Sequence, residues 1–110
     1  MGDDVFCKII SGEFAAEFVH KDDTVVVFKD IKPHAPVHLL AVPVNHVDGI
    51  GDADETVLGR LLRTAHEVAQ KQGLRGYRLI VNDGEDGGKV VPHLHVHILG
   101  GKRLGPKLVG

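Results

Sequence analysis

The feature that most constrains this chain is a short run of alternating histidine and aliphatic residues, His93-Leu94-His95-Val96-His97-Ile98-Leu99. Successive side chains of a β-strand point to opposite faces, so the three histidines would form one row and the aliphatic side chains the other. We expect the aliphatic row to pack against a helix and the imidazole row to face outward or into a cleft. The run therefore predicts a sheet protein with chemistry on one face.

The order of the remaining patterns predicts an α+β fold with a mostly antiparallel sheet. Periodicity and turn residues define the elements. The expected elements are a short helix over 5–10, strands over 17–20, 24–29 and 38–42, a long helix over 53–72, and strands over 77–82 and 93–99. No internal repeat or linker interrupts them, so a single domain over 1–110 is expected.

The long helix carries the clearest periodicity. Its apolar face consists of Val57, Leu58, Leu61, Leu62, Ala65, Val68 and Ala69. Asp52 and Glu55 are spaced as in a capping box, and Gly73 stands where a helix C-terminal cap belongs. These signals predict a helix with one buried face.

Composition narrows the classes of function. The formal net charge is −2 without a basic stripe, which disfavours a dedicated nucleic-acid partner. No apolar run approaches the roughly 20 residues of a membrane span, and the N-terminus lacks a signal region. Cys7 is the single cysteine and cannot form an internal disulfide, which indicates a reducing compartment. We therefore expect a soluble, cytoplasmic protein.

Two chemistries suit a row of three histidines. Histidines two apart on a strand can chelate Zn²⁺, although the outer two would lie about 13 Å apart, too far for one ion to collect all three. A neutral imidazole can instead attack phosphorus and form a covalent phosphohistidine. The glycine-bearing loop 83–89 precedes the row and could turn backbone N–H groups towards phosphate oxygens. The spacing alone leaves both chemistries open.

The histidine run, followed by Gly100-Gly101, resembles the signature of the histidine triad (HIT) family. The likeness extends from about Val5 to Pro106 and is greatest to the purine nucleoside phosphoramidase branch. The segments that carry it are Phe6-Cys7-Lys8-Ile9-Ile10, Gly12-Glu13, Phe28-Lys29-Asp30-Ile31, Pro33-His34-Ala35-Pro36-Val37-His38, Gly76-Tyr77-Arg78-Leu79-Ile80-Val81-Asn82 and Gly87-Gly88. The resemblance implies a HIT-like sheet of five strands, with the sheets of two protomers joined across a homodimer.

The resemblance also implies hydrolysis of purine nucleoside 5′-phosphoramidates through a covalent nucleotidyl-histidine. His95 would be the nucleophile and His97 would protonate the leaving amine, while His93 and His38 would orient the row. The tautomer of His95 sets its reactive nitrogen, so we expect a backbone carbonyl to hold the other one. No cofactor is implied. The implied partners are AMP, GMP or their amine conjugates, and a second copy of the chain.

The nucleotide-binding positions come from the same resemblance. The phosphate positions are Asn82, Gly88, Val90, His95 and His97. The base would lie against Val5, Phe6, Ile9, Phe28, Ile31 and Leu40, apolar residues that could equally be core. Asp30 would accept hydrogen bonds from the ribose hydroxyls. Val90 stands where many relatives carry Ser or Thr, so one hydroxyl donor is missing.

Departures from the family pattern keep alternatives open. Gly100 replaces the Pro-Arg of the dinucleoside polyphosphate branch, which argues against a hydrolase of that class. Some bacterial relatives bind structural zinc through Cys-x-x-Cys and two histidines, but Asp4 occupies the first cysteine position here. The expected metal is none, with the alternative ligand set Asp4, Cys7, His46 and His97. A nucleotide-binding module with little catalysis and a zinc-dependent hydrolase also remain possible. The tail 102–110 lacks the aromatic residue of animal relatives.

Overall fold

The computed structural model describes residues 4–106. Expectations that concern residues 1–3, at the start of the chain, or 107–110 of the tail lie outside the described residues. The elements are α1 (Val5–Ile10), β1 (Phe18–Lys21), β2 (Val25–Lys29), β3 (Val37–Pro43), α2 (Glu55–Lys71), β4 (Tyr77–Ile80) and β5 (Val96–Gly100), with a 3₁₀ turn at Ile50–Asp52 before α2. No helix among the described residues is both long enough and apolar enough to cross a membrane.

Within residues 4–106, five strands form one antiparallel sheet in the order β1-β2-β3-β5-β4. This confirms the predicted α+β fold with its five-stranded sheet and two helices. The central strand β3 pairs with β5, so that His38 lies opposite Leu99 and Leu40 opposite His97. The sheet thereby brings His38 beside the histidine run, although 59 residues separate it from His97.

The two faces of the sheet bury separate apolar clusters. The cluster under α2 consists of Val25, Val27, Leu39, Ala41, Leu61, Ala65, Val68, Ala69, Leu94, Val96 and Ile98. The cluster under α1 consists of Phe6, Val26, Phe28, Leu40 and Val42. Alternate residues of β2 and β3 serve opposite clusters because side chains alternate along a strand. One face is thus closed by a long helix and the other by a short one.

The start of α2 differs from the sequence prediction. Asp54 is the N-cap and accepts the Val57 N–H at 2.9 Å. The predicted capping box of Asp52 and Glu55 is therefore wrong. Asp52 instead accepts the Gly49 N–H at 3.0 Å and closes the 3₁₀ turn that precedes the helix. That turn brings the chain into the helix two residues later than the pattern suggested.

The buried face of α2 is narrower than predicted. Leu62 is 50% exposed, because it lies beyond the edge of the stripe that packs on the sheet. Thr64, which lies at the opposite edge, is buried in its place. Gly73 follows the helix with φ of +75° and ends it, as the sequence predicted.

The histidine run is only partly a strand. β5 begins at Val96, whereas the pattern predicted a strand from His93. The Leu94 N–H donates to the Val47 carbonyl at 2.8 Å, outside the sheet ladder. Side chains nevertheless alternate along the whole run, and its aliphatic row lies in the core against α2 as expected. The strand predicted over 77–82 is confirmed as β4, which is shorter and ends at Ile80.

Candidate active site

A cavity of about 710 Å³ opens beside α1, between the end of β2 and the glycine loop. The predicted nucleotide-binding residues all line it: Val5, Phe6, Ile9, Phe28, Asp30, Ile31, Leu40, Asn82, Gly88, Val90, His95 and His97. Another cavity of about 780 Å³ lies near 73–78 and 101–104 and has no imidazole in its lining. We therefore take the first cavity as the candidate site. His38 and His93 are not among its lining residues and stand behind its wall.

The inner wall of the cavity is aromatic. The ring centroid of Phe6 lies 5.7 Å from that of Phe28 and 4.9 Å from that of His95, both edge to face. Ile31 and Val90 differ from the other predicted lining residues because they are 88% and 89% exposed, which puts them at the rim. A slot with an aromatic wall and polar groups at one end suits a planar ligand with a charged substituent.

The cavity is also lined by residues that the sequence analysis did not name, and two of them, Phe14 and His34, bring rings to its wall. Phe14 lines the cavity and is 43% exposed, although it follows α1 without any periodic pattern. His34 also lines the cavity, and its backbone N–H donates to Nδ1 of His38 at 3.0 Å. The sequence offered one signal for this contact: the two histidines are four residues apart in a proline-bounded loop.

Asp30 combines two structural roles. Its Oδ1 accepts the Lys32 N–H at 2.8 Å, which makes it a turn former after β2. Its Oδ2 lies 3.4 Å from Nε2 of His38, and the side chain also lines the cavity. A carboxylate in this position can accept hydrogen bonds from a ligand while it supports the histidine behind it.

A directed series of hydrogen bonds fixes the tautomers of His38 and His97. A backbone N–H can only donate, so Nδ1 of His38 is an acceptor and its Nε2 carries the proton. That Nε2 lies 2.9 Å from Nδ1 of His97, so the second ring in turn carries its proton on Nε2. Burial lowers the pKa of His38. Burial, together with the neighbouring His95, lowers the pKa of His97 to about 4. Both rings are therefore neutral near pH 7.

His95 has the opposite tautomer. Its Nδ1 lies 2.7 Å from the His93 carbonyl oxygen, which can only accept, so Nδ1 carries the proton. This confirms the expected carbonyl partner. The lone pair of the ring is left on Nε2. Burial lowers the pKa of His95, which keeps the ring neutral. A neutral imidazole with a single available lone pair is a competent nucleophile.

The glycine loop is held by its own hydrogen bonds. The Gly88 N–H, an expected phosphate donor, donates instead to the Glu85 carbonyl at 3.0 Å. The Asn82 side-chain amide donates to the Gly87 carbonyl at 2.8 Å. A Cβ on Gly87 would lie 2.2 Å from the Asp83 carbonyl oxygen, so the turn requires glycine. Both residues shape the loop, and their contact with phosphate stays a prediction.

A second polar cluster lies behind the cavity and contains Asp4, Cys7, His46 and His93. The alternative ligand set from the sequence named His97 as the fourth member, and this is wrong. His97 lies four residues further along the run, in the hydrogen-bonded series with His38. His93 is fully buried and directs its Nδ1 into the cluster.

The donor atoms of this cluster have the geometry of a metal site. The distances between Asp4 Oδ2, Cys7 Sγ, His46 Nδ1 and His93 Nδ1 all fall between 2.9 and 3.4 Å. A tetrahedral Zn²⁺ site with ordinary bond lengths has donor separations of roughly 3.3–3.6 Å. Nε2 of His93 lies 3.0 Å from the Pro43 carbonyl, so its proton is there and the Nδ1 lone pair points at the other donors. The four residues fit a divalent ion.

Comparison with known proteins gives concordant matches. Residues 11–104 match the family model described as HIT domain. The chain is 41% identical over 109 residues to the purine nucleoside phosphoramidase of Escherichia coli (strain K12), covering 94% of this chain and 92% of that protein. A HIT family hydrolase from Clostridium thermocellum superposes with a TM-score of 0.92 at 39% identity over 99% of both chains. A histidine triad protein from Clostridium difficile gives a TM-score of 0.90 at 38% identity over 97% of both chains.

Proposed function

We propose that this chain, which belongs to the HIT domain family, hydrolyses purine nucleoside 5′-phosphoramidates to a nucleoside monophosphate and an amine. The observation that carries the proposal is the hydrogen bond between His95 Nδ1 and the His93 carbonyl, which leaves the Nε2 lone pair as the available nucleophile. The name of the Escherichia coli relative supports the substrate class.

In the first step, His95 Nε2 attacks the α-phosphorus and the P–N bond breaks. The departing nitrogen needs a proton, because an amide anion is a poor leaving group. His97 can supply it after taking up a proton from solvent in the complex, where the negative phosphate raises the proton affinity of the ring against the desolvation that lowers its pKa in the free protein; the ring is neutral again once it has donated. The products of this step are the free amine and a nucleotidyl-His95.

In the second step, water attacks the same phosphorus and the bond to His95 Nε2 breaks. His97, now neutral, accepts a proton from the water, so that His95 is again neutral and His97 is again protonated, as both were in the complex before the first step. His38 holds His97 through the 2.9 Å hydrogen bond and acts as a positioning residue. The cluster around His93 would contribute structure if it holds an ion, since His93 and its partners do not line the cavity.

We assign the ligand's parts by the chemistry of the wall. The purine would lie in the slot formed by α1 and Phe28, and the ribose hydroxyls would donate to Asp30. Phosphate would occupy the end near Asn82 and Gly88. AMP, GMP and their amine conjugates all satisfy this arrangement, because an apolar slot favours any purine ring.

The decisive experiment compares hydrolysis of adenosine 5′-phosphoramidate by wild-type protein and by His95→Ala, each with and without EDTA. We expect turnover by the wild type and none above background by the variant, with AMP still bound by both. His66→Ala is the matched control, because this histidine lies on α2 and is not among the lining residues of the cavity. Unchanged turnover in His95→Ala would remove the mechanism.

A second outcome would favour a different function. Val90 puts an exposed apolar side chain at the rim where many relatives have a hydroxyl. If the wild type binds AMP but shows no turnover, the chain is a nucleotide-binding module with little catalysis. Loss of wild-type turnover in EDTA would favour the zinc-dependent hydrolase instead.

We further propose that residues 1–110 form one HIT domain that works as a cytoplasmic homodimer without a nucleic-acid or membrane partner. The family resemblance supports the dimer, and β4, as an edge strand, offers unpaired backbone groups to a second sheet. A sedimentation mass near 11.9 kDa, that of a single chain, would contradict the dimer.

A further inference from the structure

We propose that the second cavity, where β4 begins and β5 ends, binds a small ligand that carries two or more phosphate groups. Four basic residues line this basic cavity: Arg75, Arg78, Lys102 and Arg103. None of its lining residues lines the cavity beside α1. The inference therefore goes beyond the proposed hydrolysis and does not depend on it.

The positive charges of the basic cavity come from two separate segments. Two of the four basic residues lie around the start of β4, and the other two follow β5. The pairing of Tyr77 with Gly100 brings the two segments together. The chain as a whole has a formal net charge of −2, and its sequence shows no basic stripe. The fold thus gathers charges that the sequence keeps about 25 residues apart.

The basic cavity lacks a counter-charge. Among the described residues its lining contains no Asp or Glu. Within residues 4–106, none of its four basic side chains forms an ion pair with a carboxylate. By contrast, Lys29 lies 2.7 Å from Glu17 and Arg60 lies 3.3 Å from Asp22. Four like charges repel one another, so an anion bound between them would stabilise the folded protein.

The donor groups suit phosphate. Three of the four cations are guanidinium groups, whose planar fork of N–H donors matches two oxygens of one phosphate. The guanidinium of Arg78 is held in place because its Nη2 donates to the Gly105 carbonyl at 2.7 Å. That bond uses one of its five N–H donors. Because the cations surround a volume of about 780 Å³, they can contact more than one phosphate of the same ligand.

The two basic segments are held together by close backbone contacts. A Cβ on Gly100 would lie 3.2 Å from the Gly76 carbonyl oxygen. Gly101 has φ of +91°, and a Cβ there would lie 3.0 Å from Cβ of Pro36. The positive φ and the close approach favour glycine here, so the shape of the basic cavity is built into the fold. Its volume lies within the range of small-molecule sites, about 300–1,000 Å³, whereas a nucleic-acid strand requires an extended basic groove.

One wall of the basic cavity is aromatic. Tyr77 lines it, and the phenol oxygen of this residue lies 2.5 Å from Nδ1 of His66, which holds the ring in place. An aromatic ring beside several cations can contact the base of a nucleoside polyphosphate. Inorganic polyphosphate has the same charged groups without a base. Inorganic tripolyphosphate and ATP therefore distinguish the two sources of this ligand chemistry.

The test titrates the full-length protein with inorganic tripolyphosphate, and separately with ATP, by calorimetry and by NMR of the backbone amides. Arg75→Gln/Arg103→Gln removes two cations whose side chains are exposed, and circular dichroism verifies that it folds. The matched control is Arg60→Gln/Arg63→Gln, which removes the same charge from α2, outside the basic cavity. The NMR shifts identify the site that binds, so binding in the cavity beside α1 is recognised as such.

We expect tripolyphosphate to shift the amides of 73–78 and 101–104. Its affinity should fall at least about tenfold in Arg75→Gln/Arg103→Gln and less than twofold in the control, because a guanidinium–phosphate pair is lost at each changed site. Added NaCl should weaken binding, since exposed charges are screened. Tighter binding of ATP would identify nucleoside polyphosphates as the ligand class, and equal affinity would identify inorganic polyphosphates; both agree with the proposal.

Three results would overturn the proposal. The first is the absence of shifts in these two segments, and the second is an equal loss of affinity in the two double variants. The third is tighter binding of a single-stranded oligonucleotide than of either small ligand, which would make the basic cavity part of a nucleic-acid surface. Phosphoramidate turnover is assayed separately, so failure of the hydrolase proposal would leave the binding result unchanged.

Discussion

The pair His38 and His97 and the cluster around His93 are built from the same residue type at similar depth, yet their nitrogens are satisfied in opposite ways. In the pair, the backbone N–H of His34 donates to His38, and His38 in turn donates to His97. In the cluster, lone pairs of several residues converge on one point. The backbone contact of each ring leaves the proton on Nε2 in both cases, but the protonated Nε2 of His38 faces His97, whereas the unprotonated Nδ1 of His93 faces the cluster. A single backbone contact thus decides whether a buried histidine relays protons or offers a ligand.

The largest expected effect is on the nucleophile that stands between the two groups. His95→Ala should lower kcat for adenosine 5′-phosphoramidate by at least about 10³-fold, since the covalent route is lost. When the wild type is mixed with substrate for a single turnover and quenched, mass spectrometry should detect a transient nucleotidyl-protein. An unchanged kcat would mean that His95 does not carry the reaction.

Chelation should separate the two groups. We expect EDTA to lower the Tm of the wild type by roughly 10 °C, because a ligand at about 100 times its Kd stabilises by about 2.7 kcal/mol. The tautomers of His38 and His97 do not depend on the ion, so kcat measured well below the new Tm should change less than twofold. Asp4→Asn should show no Tm response to EDTA. A similar response in the variant would place the metal elsewhere.

The pH dependence of stability should report the pair. The pKa of His97 is about 4 in the folded protein, against 6.5 as its ordinary value. Between these two pH values the unfolded chain therefore binds a proton at this residue, whereas the folded protein does not. The free energy of unfolding should therefore fall as pH drops from 6.5 towards 4, by at most about 2 kcal/mol at pH 5 for this residue. Urea unfolding of the wild type and of His97→Gln at pH 7 and 5 measures it. An equal loss in both proteins would exclude His97 as the source.

The smallest expected effect concerns the support of the glycine loop. The Lys89 side chain is 11% exposed, and its ammonium donates to the Asp48 carbonyl and lies 3.5 Å from the Asp48 carboxylate. Lys89→Met should raise KM for the phosphoramidate severalfold with little change in kcat, because the loop loses an attachment. Lys89→Arg should recover part of the loss, and Lys102→Met, an exposed lysine, should behave as wild type. A change in kcat alone would contradict a positioning role.

Local periodicity predicted the elements well, and long-range contacts account for most of the errors. The alternation of the histidine run fixed which side chains face α2, since period two survives even where the strand does not. The start of β5 depends on a bond from Leu94 N–H to the Val47 carbonyl, and no local pattern reveals it. Asp54 caps α2 in place of Asp52, because the Asp52 carboxylate already accepts a hydrogen bond within the 3₁₀ turn.

The site residues show the same division. The family resemblance predicted most of the residues that line the cavity. It did not predict that His93 completes the cluster with Asp4, Cys7 and His46, which only the three-dimensional structure shows. His93 and His97 lie on the same side of the run, so their spacing cannot say which one meets Cys7. Only the placement of α1 behind His93 decides it.

The order of the strands has a consequence for which parts of the protein open locally. β3 and β5, which carry His38 and His97, each have neighbours on both sides, whereas α1 is a helix of only six residues on the face that α2 does not cover. Amide hydrogens of β3 should exchange with solvent only when the whole sheet unfolds, and those of α1 should exchange through local opening. The ligand would then enter and leave past α1, the wall of the cavity that opens most often. The reacting histidines would stay in place, because they are held by the strands that open least often.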